Sequence, residues 1–222
     1  MTALERLDAA AFVFWDFDGT IKETLEVKAE AFVEVCAGGR PDVAAQIRRH
    51  HHDHGGLSRF EKIPLYLRWS GEEASPQRVT DACDAFAARV WHGVIHSAWV
   101  PGVESYLRAD DRRRFALVSA TPQDELAAIV ETLGLSSCFN AVYGAPISKA
   151  DAIALGLARY NVKAESALMV GDARADVDAA GRHQVPFLLR RHARNVEVFE
   201  DYRGPSFHVL TDVLAVGIAA TA

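Results

Sequence analysis

Cysteine is scarce in this chain. Cys36, Cys83 and Cys138 are far apart and form no CxxC pair, so they read as small buried hydrophobes in a reducing compartment and not as a disulfide framework. The opening Met1-Thr-Ala-Leu-Glu-Arg6 lacks an apolar secretory core. No uninterrupted apolar run is long enough to cross a bilayer. A cytoplasmic protein without a membrane partner is expected. Basic charge is also in deficit: 24 Lys and Arg stand against 30 Asp and Glu, a formal net charge of -6. That argues against a general nucleic-acid binder, though a local basic pocket remains open. Internal repeats and low-complexity tracts are missing as well. What is present is 222 residues, 50% hydrophobic and 24% charged, enough for one large globular domain or a core with a smaller insert.

Short apolar runs at 11–15, 115–118, 141–143, 167–170 and 187–189 have the continuous character of strands buried on both faces. Helical spacing at 123–133, 149–160 and 173–181 alternates with them. The fold class expected is α/β: a Rossmann-like, doubly wound parallel sheet. Between Ile21 and Val100 there is almost no strand pattern. That stretch reads as helices at 23–36, 41–52, 59–69 and 76–96, punctuated by Gly38-Gly39-Arg-Pro41, Gly55-Gly56 and Ser70-Gly71. Ser97–Gly102 reads as a return hinge. The expected division is a catalytic core of 1–21 and 99–222 and an inserted helical cap domain of 22–98.

The first apolar run ends as Phe12-Val-Phe-Trp-Asp16-Phe-Asp18-Gly19-Thr20. Two carboxylates one residue apart then stand at the carboxyl edge of the sheet, where open α/β sheets bind ligands. On its own the pattern is equally that of a strand ending in an acidic turn. Ser119-Ala120-Thr121-Pro122 closes a second strand. Its hydroxyls and free N–H groups suit a phosphate oxygen or simply cap a helix. Lys149 opens a helix, where the dipole disfavours a cation. It is either an exposed lysine or the partner of something anionic. Gly171-Asp172-x3-Asp176 closes a fourth strand. Its acids serve as dipole partners or, converging with Asp16, as oxygen ligands for Mg²⁺.

Taken together, the four strand ends resemble the haloacid dehalogenase superfamily across the whole chain: DxDGT, the Ser/Thr strand end, the lysine and GDxxxD, in that order. The insert resembles the small helical cap of β-phosphoglucomutase and phosphoglycolate phosphatase. The resemblance implies Asp16 as nucleophile and Asp18 as general acid and base. It implies Ser119, with Ala120 and Thr121, and Lys149 on the phosphoryl oxygens, and Mg²⁺ held by Asp16, the Asp18 carbonyl and Asp172, with Asp176 in support. Thr20 would anchor the turn that Gly19 permits. Family members that are dehalogenases or phosphonate hydrolases lack an acid at the position of Asp18, so the intact pair favours P–O chemistry.

Gly55-Gly56-Leu-Ser58-Arg59-Phe-Glu-Lys62 resembles the specificity loop of the mutase-type cap. It implies Arg59 and Lys62 as substrate-binding residues, with Arg59 reaching a remote anionic group; otherwise Arg59 is a surface residue at a helix start. Lys28 stands where the mutase cap carries its hinge histidine, and is either solvent-facing or directed into the cleft. His50-His51-His52-Asp53-His54 reads as a capped helix end and not a metal site. A basic pocket rim of Arg48, Arg49, His50–His54, Arg59 and Lys62 is expected. The function expected is a Mg²⁺-dependent phosphatase, monomer or homodimer, for a small phosphorylated metabolite (a sugar phosphate or nucleoside monophosphate). An intramolecular phosphomutase is the alternative, followed by a non-catalytic ligand sensor.

Overall fold

The computed structural model describes residues 3–109 and 114–211. Six strands form one parallel sheet: β1 (Phe12–Trp15), β2 (Arg114–Pro122), β3 (Ala141–Ala145), β4 (Ala167–Gly171), β5 (Phe187–Arg190) and β6 (Ser206–Phe207). Their spatial order is β3-β2-β1-β4-β5-β6. All four residues of β1 are buried. Val13 and Trp15 enter one apolar cluster, Phe12 and Phe14 the other, as the two-residue period of a strand covered on both faces requires.

The chain enters through helix α1 (Ala3–Ala9). Between β1 and β2 lie α2 (Leu25–Cys36), α3 (Pro41–Asp53), α4 (Arg59–Trp69), α5 (Pro76–His96) and α6 (Val103–Ala109). Helices α7 (Gln123–Thr132), α8 (Lys149–Tyr160) and α9 (Arg174–Arg182) join successive strands of the sheet. Local chemistry sets several of these starts. Ser75 accepts from Arg78 N, with Pro76 in the first turn of α5, and Ser148 accepts from Asp151 N at the head of α8. Along α5, Ala82, Cys83, Phe86, Val90 and Val94 are buried, the stripe expected of an amphipathic helix. No helix among the described residues is long and apolar enough to cross a membrane.

Helices α2–α5 form a helical insert over the carboxyl edge of the sheet. The two chain crossings that lead into and out of it are tied together. Glu23 N donates to Ala98 O and Val100 N to Ile21 O, both at 2.9 Å, and the Lys22 ammonium lies 4.4 Å from the centre of the Trp99 ring. This pairing is why α2 begins at Leu25 and not at residue 23. Strand β2 runs on through Ser119 to Pro122, beyond the expected end at 118, because Pro122 still pairs with Ala145. The expectation had no α1, α6 or β6; at seven, seven and two residues they are too short to show a period.

Candidate active site

Asp16 is the first residue past β1. Its N–H still donates to Val170 O at 2.9 Å, which fixes its carboxylate at the sheet edge beside β4. Asp172 follows the end of β4, Asp176 lies in the first turn of α9, and Lys149 is the first residue of α8. These four meet. Lys149 Nζ is 2.6 Å from Asp16 Oδ1 and 2.6 Å from Asp176 Oδ1. The cation at a helix start is thereby explained, since two carboxylates offset the unfavourable dipole. Burial alone would lower the Lys149 pKa, but Asp16 and Asp176 raise it above its ordinary value, so it is protonated. Burial, then Asp176 and Asp172, push the Asp16 carboxyl up against the pull of Lys149. Asp172 is pushed up to about 7 by burial and by Asp176.

Two glycines make the crowding sterically possible. Gly19 has φ +75°, and a Cβ there would run into the Asp172 carboxylate; one on Gly171 would run into that of Asp176.

Asp16, Asp172 and Asp176 each offer a carboxylate oxygen, all within 4.8 Å of one another and buried. One ammonium among three carboxylates leaves negative charge uncompensated in a low-dielectric site. An all-oxygen donor set of this kind fits Mg²⁺. The Asp172 carboxylate is itself held: His192 Nε2 lies 2.8 Å from Asp172 Oδ2. Arg194 N donates to His192 Nδ1 at 3.1 Å, so the ring proton sits on Nε2 and points at the carboxylate. Burial, then Arg190, lower the His192 pKa to about 4, which leaves the imidazole neutral at pH 7. Asn195 Nδ2 donates to the main-chain oxygens of Asp172 and Arg190, both at 2.9 Å. No sequence motif singles out this loop. Its one signal was His192-Ala-Arg-Asn195 directly after a buried strand.

Asp18 faces away from this cluster. Its Oδ1 accepts from Thr24 Oγ1 at 2.6 Å and its Oδ2 from Lys28 Nζ at 2.5 Å. Burial would raise its pKa, but Lys28 and these two hydrogen bonds outweigh burial and lower it. Only the main-chain carbonyl of Asp18 is left for the metal role expected of this residue. Thr20 does not anchor the turn through its side chain, as its buried hydroxyl has no hydrogen-bond partner among the described residues. The main chain does so instead, with Ile21 N donating to Phe17 O at 2.9 Å. Ser119 is buried at the end of β2 and its Oγ accepts from Thr121 N at 3.1 Å. Ser119, Ala120 and Lys149 line one cavity of about 610 Å³.

A family model described as haloacid dehalogenase-like hydrolase matches residues 11–184. The chain belongs to the haloacid dehalogenase-like hydrolases. Among curated proteins, none matches this sequence. Solved structures that this hydrolase resembles include a predicted phosphoglycolate phosphatase from Haemophilus somnus 129PT, with TM-score 0.73, 16% identity and 94% and 98% of the two chains covered. CbbY from Rhodobacter sphaeroides, in complex with xylulose 1,5-bisphosphate, gives 0.75 at 18% identity over 91% and 96%. β-Phosphoglucomutase from Clostridium difficile gives 0.72 at 16% over 95% and 99%. At these identities the likeness is one of fold.

The insert of this hydrolase differs from the basic rim expected. Arg48 is paired with Glu30 at 2.6 Å on the exposed cap surface, and His50 Nδ1 is 2.9 Å from Tyr66 Oη. Arg59 and Lys62 are not at a rim but buried. Arg59 Nη2 lies 2.6 Å from Glu125 Oε1 of α7, with the guanidinium over the Phe86 ring, so a remote anion would have to compete with a protein carboxylate for it. Lys62 Nζ is 3.0 Å from His51 Nδ1, and burial, then Lys28, lower its pKa to about 7. Lys28 points into the cleft. Besides Asp18 it reaches Thr121 Oγ1 at 3.0 Å. Asp18, Lys28, His51, Arg59, Lys62 and Thr121 line an inner cavity of about 30 Å³.

Proposed function

We propose that this hydrolase is a Mg²⁺-dependent phosphatase. Its substrate is a small phosphorylated metabolite, a sugar phosphate or nucleoside monophosphate, and hydrolysis proceeds through an aspartyl-phosphate on Asp16. The observation that carries the reading is the double contact of Lys149 with Asp16 and Asp176. It gathers a nucleophile, a fixed cation and an oxygen ligand set at one point of the sheet edge. We take 22–98 as the cap and 1–21 with 99–222 as the catalytic core. The acidic charge and three free cysteines support a cytoplasmic location.

Asp16 attacks phosphorus in line, and the ester oxygen leaves. Asp18 is a carboxylate in the unliganded site; it takes up a proton as the negative phosphate binds beside it, gives that proton to the leaving oxygen, and then takes one from the water that attacks the aspartyl-phosphate. Lys149 stabilises the phosphoryl oxygens, helped by Ser119 Oγ and the strand-end main chain at Ala120 and Thr121. Mg²⁺, held by Asp16, Asp172, Asp176 and the Asp18 carbonyl, would supply the positive charge that lets an anionic nucleophile approach a phosphate monoester. The cap covers Asp18 and excludes bulk water. Lys28, in the place of the mutase hinge histidine, favours water over a second sugar hydroxyl as acceptor. A sensor would have no need of Asp18.

The test is a phosphate-release screen over sugar phosphates, nucleotides and phosphoacids, with Mg²⁺ and with excess chelator. Inorganic phosphate is expected with the metal, and none from Asp16→Asn, whose fold circular dichroism should show intact. Residual Asp16→Asn activity within about tenfold of wild type would remove Asp16 as nucleophile. Full activity of metal-stripped enzyme would remove the metal, and an isomerised phosphate without free phosphate would identify a mutase.

A further inference from the structure

We infer that the alcohol part of the substrate carries a planar, largely apolar ring, seated on Leu57, Phe60 and Ile147. This deepens the phosphatase reading and rests on it. Among the described residues the exposed large apolar side chains are Leu57, Phe60, Trp91, Ile147, Leu155 and Val196. Three of these, Leu57, Phe60 and Ile147, line the single cavity of about 610 Å³ that also contains Ser119 and Lys149. Apolar side chains that share one cavity with a few polar groups are the usual lining of a small-ligand pocket. Here it begins where the phosphoryl site ends. The cap supplies Leu57 and Phe60, and the core supplies Ile147 just ahead of α8, so a ring held there would touch both.

With Ser119 given to the phosphoryl oxygens, Ser58, Glu61, Ser148 and Lys149 of the same cavity are already engaged. Ser58 Oγ donates to Glu61 Oε2 at 2.8 Å and Ser148 Oγ to Asp151 Oδ2 at 2.7 Å, while Lys149 is taken up by Asp16 and Asp176. A site that reads a polyol needs an unpaired donor or acceptor for each hydroxyl it desolvates. What remains is Asp178 and Arg182, exposed and one turn apart on α9, suited to the polar edge of a heterocycle. The inner cavity, at about 30 Å³, has room for about one or two waters, so no more than the ester oxygen reaches Asp18 there and a ring must lie in the outer one. A planar ring gains apolar burial and an aromatic contact with Phe60 there. A sugar alone would find only Asp178 and Arg182 for its hydroxyls and would leave the apolar side chains unused.

Adenosine 5′-monophosphate and ribose 5-phosphate share the phosphorylated ribose and differ by the base, so their kcat/KM ratio isolates the ring. The nucleotide is expected to be better by about tenfold or more, the scale of one base stacked on an aromatic side chain. Phe60→Ala and, separately, Ile147→Ser should each remove most of that advantage and leave ribose 5-phosphate turnover unchanged. Both side chains are exposed, so the fold should survive. Parity of the two esters, a preference for ribose 5-phosphate, or an advantage that survives both substitutions overturns the ring seat and leaves the phosphatase reading standing. No phosphate from either ester, with p-nitrophenyl phosphate also inert, overturns the phosphatase reading and the ring seat with it.

Discussion

The Lys28 ammonium lies 2.5 Å from Asp18 Oδ2 and 3.0 Å from Thr121 Oγ1. A cap helix therefore holds the carboxylate assigned to proton transfer and ties it to the end of β2. Lys28→Ala removes a charge-assisted bond and frees Asp18 to rotate. The expected result is a fall in kcat of about tenfold or more with little change in KM. Steady-state kinetics on one good substrate decides it, and an unchanged kcat would take Lys28 out of the catalytic arrangement.

His192 should matter through the metal and not through substrate. Its Nε2 proton orients Asp172, and losing such a partner typically weakens metal binding by about ten- to hundredfold. His192→Ala should show that loss in Mg²⁺ titration calorimetry without substrate. His192→Gln, whose amide can still donate, should recover part of it. Wild-type affinity in the alanine variant would mean that the strand end alone positions Asp172.

Arg59 and Glu125 join the cap to the core. Since Arg59 already has a carboxylate partner, Arg59→Ala should lower kcat/KM alike for p-nitrophenyl phosphate and for a substrate with a second anionic group. A loss larger by roughly ten- to a hundredfold on the second substrate would show that the guanidinium leaves Glu125 for it.

Lys62 gives a pH signature. The unfolded chain keeps this proton up to about pH 10.4, whereas the folded protein releases it near a pKa of about 7. Between those values the unfolded state binds more protons, so the Lys62 contribution to stability rises with pH; below the folded pKa its buried charge is a cost. Lys62→Met should therefore raise Tm most at about pH 6, and its advantage over wild type should shrink towards about pH 10. A Tm difference that stays constant across that range would mean Lys62 remains charged in the fold.

By itself the sequence determined where β1 and β4 give way to acidic turns and what stands there. Apolar runs broken at Asp16-Phe-Asp18-Gly19 and at Gly171-Asp172 are local facts, and so are the helix bounds at Arg59–Trp69 and Pro76–His96, set by caps and periodicity. Only the tertiary structure decided which charges meet. Lys28 has the same sequence signature whether its helix turns it to water or to Asp18. Arg48 reads as part of a basic rim but sits on Glu30 in the fold; Arg59 reads equally as an anion receptor or a surface residue at a helix start, and in the fold it is buried on Glu125. His192 had only a faint signature, its place just after a buried strand, because its contact depends on the loop after β5 closing over the end of β4. Pairing between segments far apart in the chain is fixed by how the cap and loops pack on the sheet edge, and Coulomb interactions in that buried space depend on distances that residue order does not contain.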